Sequence, residues 1–188
     1  MAEALRALDA LPPGQPEAWN LVAILDAFAP EESGWPARFE GWMTDPRLHP
    51  EARGAACRAL AHRRIPLDRF IDAVEAHPES VQRCLVEVDG DQGPPAARKL
   101  LDAPGVELRL AAAHRLAAYG TWEDVRPLLA RLLRSDPAEG PLPGLRESVV
   151  LAETVAALVL MHPEQRQTLL APMEAAEPSS EVQRRLDR

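Results

Sequence analysis

Apolar residues along this chain recur at three- and four-residue intervals rather than in alternation. From Val106 the stripe continues through Leu110, Ala113, Leu116 and Ala117, positions that share one face of an α-helix. The same period predicts helices over 2–11, 17–28, 35–44, 49–62, 67–76, 77–90, 95–101, 105–120, 122–134, 145–161, 164–175 and 180–186.

The residues between these stripes agree with the division. Pro50, Pro78 and Pro163 stand where a first-turn proline forfeits no hydrogen bond, and Glu51, Glu79 and Glu164 follow them at the positive end of a helix. Thr121 followed by Trp122, Glu123 and Asp124 reads as a capping-box variant with Thr121 as N-cap. Gly90 and Gly120 stand where a helix end commonly needs a left-handed residue.

Three of the segments repeat one another. His49 to His62, His77 to Gly90 and Gly105 to Gly120 each open on Pro or Gly with an early Glu and then turn apolar, and the register between successive segments is 28 residues. A further helix precedes each segment, so the unit is a helical pair that needs a neighbour to bury its stripe. Composition sharpens this picture. Hydrophobic residues are 46% of the chain and aromatics only 4%, with Ala and Leu, strong helix formers, in the majority. The 19 prolines fall mostly between stripes. Many short helices joined by tight turns satisfy both facts.

The runs TWEDVRPLLARLLRSDP and LLDAPGVELRLAAAHRLAAYG resemble HEAT repeats. The resemblance implies an all-α fold, a right-handed α-solenoid of roughly five to six antiparallel helix pairs of the HEAT-like or ARM-like kind. It implies a single domain over 1–188, with a capping pair in 1–34, central repeats in 35–162 and capping helices in 163–188. First helices would line the convex side and second helices the concave side, where partners usually bind. The family's inter-repeat ladder of Asp and Arg maps onto Asp45 with Arg53 and Asp102 with Arg109. The second unit departs from it, because Val81 stands where Arg53 and Arg109 stand in the others. The fourth carries an enlarged loop over 135–144, and the spacing is shorter than the usual period of about 40–47 residues.

Charge is banded: net −6 over 1–45, +4 over 46–69, −5 over 70–108, +3 over 109–134 and −4 over 135–188, for a total of −8. All basic residues but Lys99 are arginine. Arg58, Arg63, Arg64 and Arg115 fall in the basic bands and, with Trp35 and Trp42, are the candidate partner-binding residues. A nucleic-acid groove uses such arginines, as in alkylation-repeat DNA glycosylases of HEAT-like fold, but acidic bands between the basic ones make a poor phosphate track. Inter-repeat salt bridges explain the alternation more simply.

Trp35, Phe39 and Trp42 share one helical face, as a core stripe in the first instance and as a partner anchor in the second. Glu153 interrupts the apolar run Val149 to Met161 and is expected to meet solvent or to pair with Arg109 or Arg115. His49, His77 and His162 precede Pro-Glu at helix starts; with His62 and His114 they form no metal-ligand spacing. Cys57 and Cys84 occupy nearly matching places in adjacent second helices, with no spacing of a disulfide framework, and are expected to be small core residues. Asp89 to Gly93 reads as a turn. No nucleophile, phosphate loop or cofactor fingerprint is recognisable, so no catalytic, cofactor-binding or metal-ligating residue is assigned.

The expectation is therefore a non-enzymatic, cytoplasmic protein–protein interaction module without cofactors, whether adaptor, scaffold or regulatory subunit. It would bind through its concave face a protein carrying basic patches. Two alternatives stand beside it: a nucleic-acid-binding or DNA-repair protein, and an immunity or antitoxin-type inhibitor of a partner. Neither a signal peptide nor a membrane span is expected, and assembly with further copies is left open.

Overall fold

Helix α4 (Pro50–His62) buries Ala52, Gly54, Ala55, Ala56, Cys57, Ala59 and Leu60. Small side chains on several sides allow several neighbours to approach one helix closely. In the computed structural model, which describes residues 2–29, 34–135 and 146–165, three helices pack on it: α2 (Ala18–Phe28), α3 (Trp35–Thr44) and α6 (Glu79–Glu87). α1 (Ala2–Ala10) packs on α2. Val22, Leu25, Phe39, Met43 and Leu60 form the fully buried centre of this group.

Local chemistry sets the ends of α4. Pro50 occupies its first turn, and the Nδ1 atom of His49 accepts the Glu51 N–H at 3.2 Å, so a histidine serves as N-cap. Past its C-terminus the chain turns through Arg64, a non-glycine residue with φ +54°, and Arg63 and Arg64 therefore stand beyond the helix rather than on it.

The helix expected over 67–76 is broken into α5 (Asp68–Ile71) and a 3-10 turn at Val74–Ala76. Leu67, Ile71 and Val74 are all buried. Their stripe keeps its helical spacing, and apolar burial holds the segment in place where its hydrogen bonding changes register.

α6 lies so close to α4 that a Cβ on Gly54 would come within 2.8 Å of the Ser80 Cβ and 3.0 Å of its carbonyl oxygen. The Ser80 hydroxyl donates to the Pro50 carbonyl at this crossing. After α6 the chain turns at Gly90, which takes the left-handed φ of +75° expected of it, through a 3-10 turn at Gly90–Gln92 into α7 (Gly93–Leu100).

The chain divides into two compact units, Met1–Ala96 and Ala97–Arg188. In the second unit, α10 (Glu147–Met161) packs on α8 (Val106–Tyr119) and α9 (Val125–Leu132). The core of this unit is made of Leu108, Leu110, Ala112, Ala113 and Leu116 of α8, Val125 and Leu128 of α9, and Val150, Leu151, Val155 and Leu158 of α10, all buried. The capping box at Thr121 is present, with the Asp124 carboxylate accepting the Thr121 N–H at 2.8 Å; a backbone turn bond from the Asp124 N–H to the Thr121 carbonyl, 3.0 Å, runs beside it. It opens a 3-10 turn, Trp122–Asp124, that leads into α9. Gly120 differs from expectation. Its φ is −71°, and glycine is required there because a Cβ would overlap the Leu116 carbonyl.

Among the described residues there is helix and no strand, so the fold is all-helical. None of the described helices is long and apolar enough to cross a membrane. The helices expected over 164–175 and 180–186 and the loop over 135–144 lie outside the described residues, apart from Ser135 and a 3-10 turn at Pro163–Gln165.

Candidate interaction surface

The aromatic trio on α3 is a cluster. Trp35 and Phe39 have ring centroids 5.8 Å apart, and Trp42 stands edge-on to Phe39 at 5.4 Å. Phe39 is fully buried and Trp35 only 8% exposed, so the stripe is core. Trp42 alone keeps appreciable surface, where it lines a cleft of about 240 Å³ with Pro12, Pro13 and His49.

The four arginines separate by environment. Arg63 is held inward: it donates to the Asp26 carboxylate, to the Asp26 carbonyl at 2.9 Å and to the Ala59 carbonyl at 3.0 Å. Its guanidinium also lies 4.8 Å from the Phe39 ring centre. Arg63 thus fastens the end of α4 to α2, with little left to offer a partner. Arg115 covers Tyr119 at 4.8 Å. Arg58 and Arg64 are exposed, and both line a cleft of about 710 Å³ in the first unit, facing Cys84, Glu87, Asp89 and Gln92. That volume lies within the range of small-ligand sites.

The ladder residues take other partners. Asp45 binds Arg47, with Nη2–Oδ2 2.8 Å and Nε–Oδ1 3.1 Å. Arg53 donates instead to the Met43 carbonyl at 3.0 Å and acts on Asp45 only through its charge. The side-chain hydrogen bond from Arg47 holds the Asp45 carboxyl below its ordinary value, against a weaker opposing effect of burial. Asp102 meets Arg134 at 3.0 Å and Arg131 at 3.8 Å.

Arg109 turns to Glu147, a residue the sequence did not single out. Both are buried, and their two bonds are 2.8 and 2.9 Å long. Arg131 grips the same carboxylate from the other side at 2.6 and 2.9 Å. The Ala103 and Pro104 carbonyls accept further Arg109 protons. Burial drives the Glu147 carboxyl up, but the hydrogen bonds from Arg131 and Arg109 outweigh it and hold the group below its ordinary value. Glu153 is exposed, as expected of a solvent-facing residue.

Glu147 was legible in one respect. It shares a helical stripe with Leu151, Thr154, Val155 and Leu158, all buried, whereas Glu153 lies off that stripe.

Two features go beyond the sequence reading. Cys57 and Cys84 are joined as a disulfide across α4 and α6, with their Cα atoms 6.2 Å apart. The near-match of their places in two similar sequence segments was the signal. The lack of a multi-cysteine framework concealed it, because a single bridge needs none. The second feature is on α2, which exposes Trp19, Ala23, Ile24, Ala27 and Phe28, with Phe28 71% exposed. The signal was a helix, AWNLVAILDAF, apolar on more faces than one neighbour can cover.

Among the described residues, no group of His, Cys, Asp and Glu is placed to hold a metal ion. Compared with family models, curated proteins and solved structures, the chain matches none.

Proposed function

We propose that this chain is a non-enzymatic interaction module, a HEAT-like right-handed solenoid of antiparallel helix pairs that binds a partner protein along its second helices. The packing order within the units supports it. α1 pairs with α2 and α3 with α4, while α2, α4 and α6 stack in succession; in the second unit α9 pairs with α10 and α8 packs on α10. Nearest-neighbour packing of this kind is what a repeat stack requires.

The observation that carries the binding role is the exposed half of α2, which runs from Trp19 at one edge through Ala23, Ala27 and Ile24 to Phe28 at the other. Several large apolar side chains, two of them aromatic, left exposed on one helix are a mark of interfaces rather than of idle surface. The surrounding segment, 1–45, has a net charge of −6, so the matching partner is an amphipathic helix with basic flanks.

Affinity capture from the native host, with the wild-type chain beside a Trp19→Glu/Phe28→Glu double variant, tests the assignment. A protein retained by the wild type and released by the variant is expected. Equal retention by both, or no stable partner at any salt concentration, overturns it.

A further inference from the structure

The 710 Å³ cleft of the first unit is lined in part by Cys84, one partner of the Cys57–Cys84 bridge. Of the two bonded cysteines, Cys84 lines the cleft and Cys57 does not; Cys57 is fully buried and Cys84 3% exposed. Only the Cys84 side of the bridge borders the cleft. At the same cleft stand Arg58 and Arg64, both exposed, with no side-chain hydrogen bond or ion pair among the described residues. Arg64 is held there by its left-handed backbone, φ +54°, at the end of α4. Guanidinium groups suit the carboxylates of a small ligand, and they favour the approach of a thiolate.

We infer that this cleft is a thiol–disulfide exchange site, in which a small carboxylate-bearing thiol attacks Cys84 and leaves Cys57 as the released thiol. In the first step the sulfur of the incoming thiolate bonds to the Cys84 sulfur, and the Cys57–Cys84 bond breaks. Cys57 departs with the electron pair and takes up the proton the attacking thiol had lost. A second thiol then attacks the ligand sulfur of the mixed disulfide. This frees the Cys84 thiol and yields the oxidised, dimeric form of the small thiol, so the bridge gains two electrons and two thiols supply them.

The geometry gives the exchange a direction. The reverse attack, on Cys57, has no open approach, so the mixed disulfide forms on Cys84. Breaking the bridge also removes the covalent tie between α4 and α6 at the crossing where Gly54 and Ser80 meet.

The test uses the full chain and glutathione. Wild-type protein, partly reduced with glutathione, is quenched with iodoacetamide and mapped by peptide mass. Glutathione on Cys84 with the alkyl group on Cys57 is expected; glutathione on Cys57, or on both residues equally, overturns the inference. So does a chain purified without reductant whose two thiols stay free under mild oxidant. An Arg58→Ala/Arg64→Ala variant is expected to slow reduction by glutathione about tenfold, and to slow reduction by 2-mercaptoethanol, whose thiolate carries no carboxylate, by clearly less. Equal slowing with both thiols, or with neither, removes the carboxylate-binding role of the arginines.

Discussion

Arg109 and Glu147, 38 residues apart in sequence, meet through two parallel hydrogen bonds in the core of the second unit, where Arg109 is 4% exposed and Glu147 0%. Arg131 completes the grip on the same carboxylate. One acid between two bases is self-consistent here because the Ala103 and Pro104 carbonyls accept remaining Arg109 protons. Taking charges out of water is costly, and the pairing offsets that cost only while every member is present.

Glu147→Ala is therefore expected to destabilise the protein by about 3–5 kcal/mol, since it leaves a buried guanidinium unpaired. Glu153→Ala, an equal change on an exposed part of the same helix, is expected to stay within about 0.5 kcal/mol. Urea unfolding of both variants checks the contrast, and similar midpoints would remove the role given to Glu147.

Stability is expected to fall on acidification in two stages. Burial, and then the charge of Arg53, hold the His77 imidazole below its ordinary value of 6.5. The unfolded chain takes up that proton first. The stability tied to a neutral His77 is present above pH 6.5 and is lost as pH falls from there toward the depressed folded value. Replacing His77 with Phe is expected to flatten this limb in unfolding free energies measured from pH 7.5 to 5.

The second stage belongs to the carboxylates. For Asp124, burial raises the carboxyl, and the Arg98 side chain together with the Thr121 N–H lowers it by more. Glu147 is depressed in the same manner from 4.5. A depressed acid contributes stability that is complete above its unfolded value and lost as pH falls through the folded one. Glu147→Gln, measured by thermal unfolding against pH, is expected to weaken the decline below pH 4.5 and to leave the higher limb unchanged.

Gly54→Val tests the α4–α6 crossing. The new side chain meets Ser80 Cβ and backbone, so the helices must separate, at about 1–3 kcal/mol. Thiol titration of the unreduced chain is expected to show the Cys57–Cys84 bridge forming less completely than in the wild type. Reduction of the wild type, by opening a link of sequence separation 27, is expected to lower its stability by about 3 kcal/mol.

The aromatic residues divide by neighbourhood rather than by type. Phe39→Ala, at a fully buried position, is expected to cost about 3–5 kcal/mol. Trp19→Glu and Phe28→Glu, on the open face of α2, are each expected to change stability by no more than about 0.5 kcal/mol. Thermal unfolding separates them, and a large loss from Phe28→Glu would show that the α2 face is core.

Much of the helical layout was legible in the residue pattern. The stripe from Val106, the prolines at the starts of α4 and α6 and the capping box at Thr121 act within one or two turns, so short windows of sequence contain their causes. The expected helix over 67–76 failed for the opposite reason. Leu67, Ile71 and Val74 keep their burial, and contacts to the rest of the unit tolerate a break that periodicity does not reveal.

The candidate site was less legible. Arg63 and Arg64 are adjacent in sequence, yet the first is spent on Asp26 and Phe39 while the second lines an open cleft. Their difference depends on where α2 and α3 lie, which no run of neighbouring residues states.

The sequence alone determined that the chain is helical, where most helices begin and which faces carry the apolar stripes, because these follow from hydrogen bonding and side-chain spacing along one helix. Only the tertiary structure decided that Glu147 rather than Glu153 meets Arg109, that Cys57 and Cys84 bond, and that α2 keeps an apolar face open. Each of these depends on how distant helices pack, and close packing, not local propensity, selects which buried charges and sulfurs meet.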